Sequence, residues 1–249
     1  MKTAGTSVTR ALRSRYPDAE IYPAPTSGEA TYTEKTQIAS LVSIMETSSV
    51  PALVSVHMPG WVADRASDSH LCVTVLRDPV ERTISHLRHI ARNHDGSTLD
   101  ELYDDPIYRA LLPNYQTRVF AATEAYYEQR EQDIADAFTR ALNGEPSPPG
   151  MPVRHADVEQ AASRLAIAHT QPLVAGSLNR AQARLAKYDL VGITEQLDRF
   201  ADAIEERTGV ALDLADRANR AKDGYAVSAS LRKEIEADNT LDLELHASV

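Results

Sequence analysis

The sequence predicts an α/β fold, a parallel sheet with helices on both faces, and two observations carry that expectation. Three short apolar runs, ALVSVH (Ala52 to His57), LCVTVL (Leu71 to Leu76) and DLVGIT (Asp189 to Thr194), have the length and β-branched content of strands. Longer stretches between them repeat their apolar residues at helical spacing. A chain of 249 residues can bury a sizeable core, and it contains no long Gly-, Ser- or Pro-rich linker. One domain over 1–249 is therefore expected.

Taken in order, Val8, Ala11 and Leu12 recur at helical spacing after Gly5, and Pro17 ends the pattern. The prolines and Gly28 of YPAPTSG (Tyr22 to Gly28) predict a loop. A helix is expected around Lys35 to Glu46, before ALVSVH, which stops at Met58-Pro59-Gly60. LCVTVL is closed by Arg77-Asp78-Pro79 and runs into VERTISHLRHIARN (Val80 to Asn93), whose Ile84, Leu87 and Ile90 form one apolar stripe. Ala122 to Asn143 reads as a long charged helix, and GEPSPPGMP (Gly144 to Pro152) as the one weak point inside the chain. Helices are expected around Val158 to Ala166 and Arg180 to Tyr188, before DLVGIT, and over Glu195 to Thr208 after it. No repeat of 20 to 50 residues is visible.

Composition narrows the function. A net charge of −10 argues against general affinity for nucleic acid, so no nucleic-acid partner is expected. The apolar runs fall far short of the roughly 20 residues of a membrane span, and no integral membrane segment is expected. The amino terminus lacks the apolar stretch of a signal peptide, so a cytoplasmic location is the default. Cys72 is the single cysteine: an intrachain disulfide is impossible, and no metal site is expected.

Two segments have the chemistry of anion sites. A helix amino terminus carries unpaired N–H groups and partial positive charge. In the opening MKTAGTS, Gly5 allows close backbone approach, Thr6 and Ser7 add hydroxyls, and Lys2 adds a cation. In VTVLRDPVERTISHLRH (Val73 to His89), Arg77 ends a strand and Ser85 follows eight residues later. An arginine fork and a hydroxyl so placed can converge on one phosphate. An ordinary capped helix explains the first segment alone, and a surface ion pair explains Arg77 alone. Together they suggest a ligand with two separated phosphates.

At these residues the chain resembles the sulfotransferases that use 3'-phosphoadenosine 5'-phosphosulfate (PAPS). It shows (M)KTAGTS at Met1 to Ser7, where that family has a PKTxGTS-like loop. LRDPVERTISHL at Leu76 to Leu87 matches an LRDPVERxxSxY-like segment. NYQTRVFA (Asn114 to Ala121), DLVGITEQLDRF (Asp189 to Phe200) and NTLDLELH (Asn239 to His246) are similar to the carbohydrate-type branch. The resemblance implies a P-loop-type three-layer fold, a parallel sheet flanked by helices, and a PAPS-dependent O-sulfotransferase. It implies that Lys2, Ala4, Gly5, Thr6 and Ser7 cradle the 5'-phosphosulfate, and that Arg77 and Ser85 hold the 3'-phosphate. The acceptor is expected to be a hydroxyl-bearing small molecule, lipid or glycan, and no metal is needed. Lys2 is expected to stabilise the leaving phosphate and His57 to act as base. His57 stands in VHMPG, similar to a GHxPxG-like family segment without its first glycine. A strand-end histidine satisfied by a carbonyl is the plainer alternative.

The chain departs from the family in one respect: the strand that should lead into the loop is missing at the amino terminus, with Met1 where proline is usual. A start assigned too late, a trimmed chain or a decayed relative would each explain this, and two intact motifs favour the first. Asn114, Gln116 and Arg118 are candidates for the cleft, although Asn114 after Pro113 also suits a helix cap. Trp61 and Tyr115 are candidate pocket aromatics, and Asn219, Arg220 and Lys222 a candidate lid. His86 and His89 lack a third metal ligand. The rivals are a catalytically inactive nucleotide-binding relative and a P-loop kinase, which would require the absent GK[ST] loop.

Overall fold

The computed structural model describes residues 5–22, 42–43, 46, 52–55, 58–66, 70–92, 96–129, 171–214 and 225–249. Elements below are numbered within these residues. In chain order they are α1 (Gly5–Arg13), β1 (Ile21–Tyr22), β2 (Leu53–Val54), β3 (Val73–Leu76) and α2 (Pro79–Ala91). Then follow α3 (Leu99–Asp104), α4 (Pro106–Leu111), α5 (Tyr115–Ala121) and α6 (Ser177–Leu185). The last are β4 (Leu190–Ile193), α7 (Leu197–Thr208), α8 (Ala229–Asp238) and α9 (Thr240–Ala247).

The strands pair in parallel, as expected of an α/β chain, but as two separate pairs. β1 lies beside β2, with Ile21 opposite Leu53 and Tyr22 opposite Val54. β3 lies beside β4, from Val73 opposite Leu190 to Leu76 opposite Ile193. Among the described residues no ladder joins the two pairs. Of ALVSVH, Leu53 and Val54 are the ladder residues within the described part, and the Ser55 N–H continues the pairing by donating to the Tyr22 carbonyl (3.0 Å). The strands are also less buried than a sheet covered on both faces would be. Val73, Thr74 and Val75 are half-buried and only Leu76 is enclosed.

Helices supply most of the core. The predicted stripe of α2 faces inward: Ile84 and Leu87 pack with Leu99, Leu102 and Tyr103 of α3 and with Leu231 and Ile235 of α8, and Ile90 borders them. α3 starts at a reciprocal cap, Thr98 accepting from the Glu101 N–H while the Glu101 carboxylate accepts from the Thr98 N–H. A second cluster joins Leu76, Phe120 and Ala121 to Ala181 and Leu185 of α6 and Leu245 of α9. α1 covers the β3–β4 pair: Val8 and Ala11 pack with Phe200 and Ile204 of α7, bordered by Val73, Val75 and Leu190.

Several boundaries differ from expectation. The helix predicted over Ala122 to Asn143 is separated from α5 at 122–123, where Thr123 Oγ1 accepts from the Tyr126 N–H, and is helical over 124–129. Its remainder, the GEPSPPGMP loop and the Val158 to Ala166 helix lie outside the described residues, as does most of the Lys35 to Glu46 helix. The helix predicted at Arg180 starts earlier, at Ser177, because Gly176 adopts the left-handed conformation (φ 81°) and Ser177 Oγ accepts from the Val174 N–H. The Glu195 segment opens as a tight 3-10 turn (Thr194–Gln196) before α7. No helix of the described residues is long and apolar enough to cross a membrane.

Candidate functional site: the Leu76 to Asp78 turn

β3 passes into α2 through three residues whose main chain is held one by one. The Leu76 carbonyl accepts from Thr194 Oγ1 (3.0 Å) at the end of β4. The Arg77 N–H donates to Gln116 Oε1 (3.0 Å), and the Arg77 carbonyl accepts from Gln116 Nε2 (2.9 Å). The Asp78 N–H points to Glu195 Oε1 (3.4 Å). Asp78 then caps α2, its Oδ1 accepting from the Glu81 N–H (2.9 Å), with Pro79 in the first helical position. Arg77 thus leaves a rigid turn, half-buried, at the carboxyl end of a parallel strand, where such folds collect ligands.

Ser85 lies two turns into α2 and is half-buried, off the fully buried Ile84 and Leu87 face. Arg82 points the other way and is fully buried. Its guanidinium donates to the Leu112 carbonyl (2.5 Å) and to Thr83 Oγ1 (2.9 Å) and lies 4.9 Å from the centre of the Tyr115 ring. Burial pulls its pKa down, and the nearby Asp242 carboxylate opposes that shift.

The opening segment forms the first turn of α1 with the backbone of Gly5 and Thr6, while the Thr6 hydroxyl lies outside the described part. Ser7 is buried, 6% exposed. α1 carries no acidic residue in its first turn and Arg10 and Arg13 in its last, leaving its positive end uncompensated by side chains of its own first turn. Thr9 Oγ1 lies 2.7 Å from Ser55 Oγ, just beyond β2. Since α1 also packs on β3 and β4, it is the element that bridges the two strand pairs. Lys2, Ala4 and His57, and Asn219, Arg220 and Lys222, lie outside the described residues.

Four residues read as cleft or pocket candidates make contacts with other parts of the chain. Trp61 is 4% exposed, packed with Val62, Ala122 and Tyr127, and Tyr115 is 5% exposed beneath Arg82. Arg118 turns back to the ends of its neighbours, donating to the Ala110 carbonyl (2.6 Å) and the Gln171 carbonyl (3.3 Å), and burial lowers its pKa. Asn114 precedes α5 in the left-handed conformation (φ 49°) without capping it. Its Oδ1 accepts instead from the Leu241 and Asp242 N–H groups of α9 (2.9 and 3.0 Å). Asp242 returns the cap, accepting from the N–H groups of Gln116 (2.9 Å) and Thr117 (2.6 Å). Two helix starts therefore cap each other, with partners too far apart in sequence for any local pattern to reveal.

Among the described residues no three His, Cys, Asp or Glu side chains gather as metal ligands. A scan of protein-family models and a search of the curated proteins both find no match for this chain. Chemically, the turn combines a guanidinium, a hydroxyl and a capped helix start. Its carboxylates are turned onto backbone N–H groups, Asp78 onto Glu81 and Glu195 onto Asp78. That donor set suits an anion.

Proposed function

We propose that the chain is a PAPS-dependent O-sulfotransferase, acting on a hydroxyl of a carbohydrate, lipid or small-metabolite acceptor, with a P-loop-type three-layer sheet as its frame. The observation that carries the reading is the Arg77 main chain held by Gln116 at the end of β3, with Ser85 two turns into the capped helix α2. A phosphate monoester needs a donor-rich, preorganised cradle of this kind.

In this reading Arg77 and Ser85 bind the 3'-phosphate, and Lys2, Ala4, Gly5, Thr6 and Ser7 surround the 5'-phosphosulfate. The co-substrate supplies the sulfuryl group. Lys2 offsets the charge that grows on the leaving phosphate, and His57 takes the proton released by the acceptor hydroxyl. Neither role requires a metal. The acidic net charge and the single cysteine accord with a cytoplasmic enzyme that binds its anion in a local cradle.

The test is calorimetry with adenosine 3',5'-bisphosphate. Binding by the chain that weakens about 10- to 100-fold in Arg77→Ala is expected, the loss of one charge-assisted contact. No binding by the chain would overturn the reading. His57→Ala then separates enzyme from binding protein: retained nucleotide affinity with about 10²-fold slower sulfuryl transfer is expected of a base. Retained affinity with no turnover in either form would identify an inactive nucleotide-binding relative.

A further inference from the structure

The main chain of Arg77 is held on both sides by one buried side chain, that of Gln116. Gln116 is 1% exposed, and its carboxamide makes two opposed hydrogen bonds to the main chain of one residue, accepting from the Arg77 N–H at 3.0 Å and donating to the Arg77 carbonyl at 2.9 Å. In a sheet, two residues that exchange both main-chain bonds fix each other's peptide planes. Here a side chain replaces the partner strand at the last position before the turn. A planar group with a donor and an acceptor side by side is needed, which among side chains of this length only glutamine provides. Both bonds are made only with this orientation of the amide, so the assignment of its oxygen and nitrogen is unambiguous.

Gln116 is itself fixed from behind. Its N–H and that of Thr117 end on the two oxygens of Asp242, which is fully buried, and the Asp242 N–H ends on Asn114. Asn114 is tied in turn to the end of α8, its N–H donating to Asn239 Oδ1 (2.9 Å) and its Nδ2 to the Asp238 carbonyl (2.7 Å). The α8–α9 corner therefore sets the start of α5, the start of α5 sets the Gln116 carboxamide, and the carboxamide sets the peptide planes on both sides of the Arg77 Cα. Those planes set the direction of the Arg77 Cα–Cβ bond, the start of the path its guanidinium takes.

We infer that Gln116 is a positioning residue for the 3'-phosphate site: its double clamp on the Arg77 main chain aims the guanidinium and so sets the preference for nucleotides that carry a 3'-phosphate. The inference rests on the sulfotransferase reading for the identity of that ligand. The clamp itself does not.

The test compares adenosine 3',5'-bisphosphate with adenosine 5'-monophosphate by calorimetry, in the unaltered chain and in Gln116→Met, which keeps the buried volume and removes both bonds. The ratio of the two affinities is expected to fall about 10-fold, two neutral hydrogen bonds' worth, while monophosphate affinity stays the same. Equal weakening of both nucleotides, the signature of a merely structural role, would overturn the inference, as would an unchanged ratio. Gln116→Leu, which also removes both bonds, guards against a failure of the first variant to fold; a similar fall in the ratio is expected, and an unchanged one overturns the inference. Amide hydrogen exchange supplies a readout without nucleotide. The Arg77 N–H is expected to exchange faster in Gln116→Met while the Val75 N–H does not change. If the unaltered chain binds neither nucleotide, the sulfotransferase reading fails, and exchange at Arg77 alone decides the clamp: protection retained in Gln116→Met refutes it.

Discussion

Several arginines among the described residues work inward. Arg82, Arg118 and Arg184 end on main-chain carbonyls. Arg184, 9% exposed, serves the Phe120 and Ala122 carbonyls at the end of α5 while its other edge meets Asp64 (3.1 Å). A guanidinium suits this task because its five donors fan out in one plane and reach carbonyls that a helix end leaves unpaired. The sequence marks Arg118 as a cleft candidate by its neighbours, yet residue type and spacing carry no information about which way a long side chain folds. For Arg77 the sequence indicates a place between a strand end and a helix start, and its main chain lies there, between β3 and α2. Cys72, just before β3, is half-buried: burial, helped by Asp189, pushes its thiol above the ordinary value. At pH 8 it is expected to react with Ellman's reagent several-fold more slowly than free cysteine, its rate still climbing where a free thiol levels off. Equal rates at pH 8 would contradict that environment.

At the scale of elements, the sequence is informative where one face of an element repeats and silent where contacts are remote. α2 was predicted from Val80 and begins at Pro79, since Ile84 and Leu87 recur on the buried face and Asp78-Pro79 is a strong start signal. β3 and β4 were legible as apolar runs. Their pairing register, Val73 with Leu190, depends on the long intervening chain and is not written locally. Gly192 on β4 shows what pairing alone omits. A Cβ there would stand 2.5 Å from a ring carbon of Phe200, so the glycine lets α7 lie against the strand. Gly192→Ala is expected to lower stability by about 1–3 kcal/mol through overpacking. Urea unfolding would report it as a lower midpoint with an unchanged slope; an unchanged midpoint would mean that α7 shifts without cost.

At the scale of the whole molecule, helical contacts among the described residues link the two small strand pairs. α1 ties one pair to the other through Thr9 and Ser55, and α5 is packed by both α6 and α9. The reciprocal caps of Asn114 and Asp242 join distant parts of the chain, so their energies are not independent. A double-mutant cycle on Asn114→Ala and Asp242→Ala is expected to give a coupling of about 0.5–3 kcal/mol by chemical denaturation. Strict additivity would show that the two caps act separately. This clasp escaped the sequence because Asn, Asp and Gln are ordinary in loops and helix starts, and only the fold brings these together.

The clasp also bears on how the molecule is made. The turn that carries Arg77 is synthesised early, but the side chain that orients it is anchored by Asp242, so a nascent chain cannot finish the turn until synthesis has passed α9. Until then the start of α5 lacks its acceptors, and the apolar face of α5 lacks Leu245. A ribosome-bound chain stalled before α9 would expose that face to chaperones, whereas synthesis through α9 would let core and turn complete together.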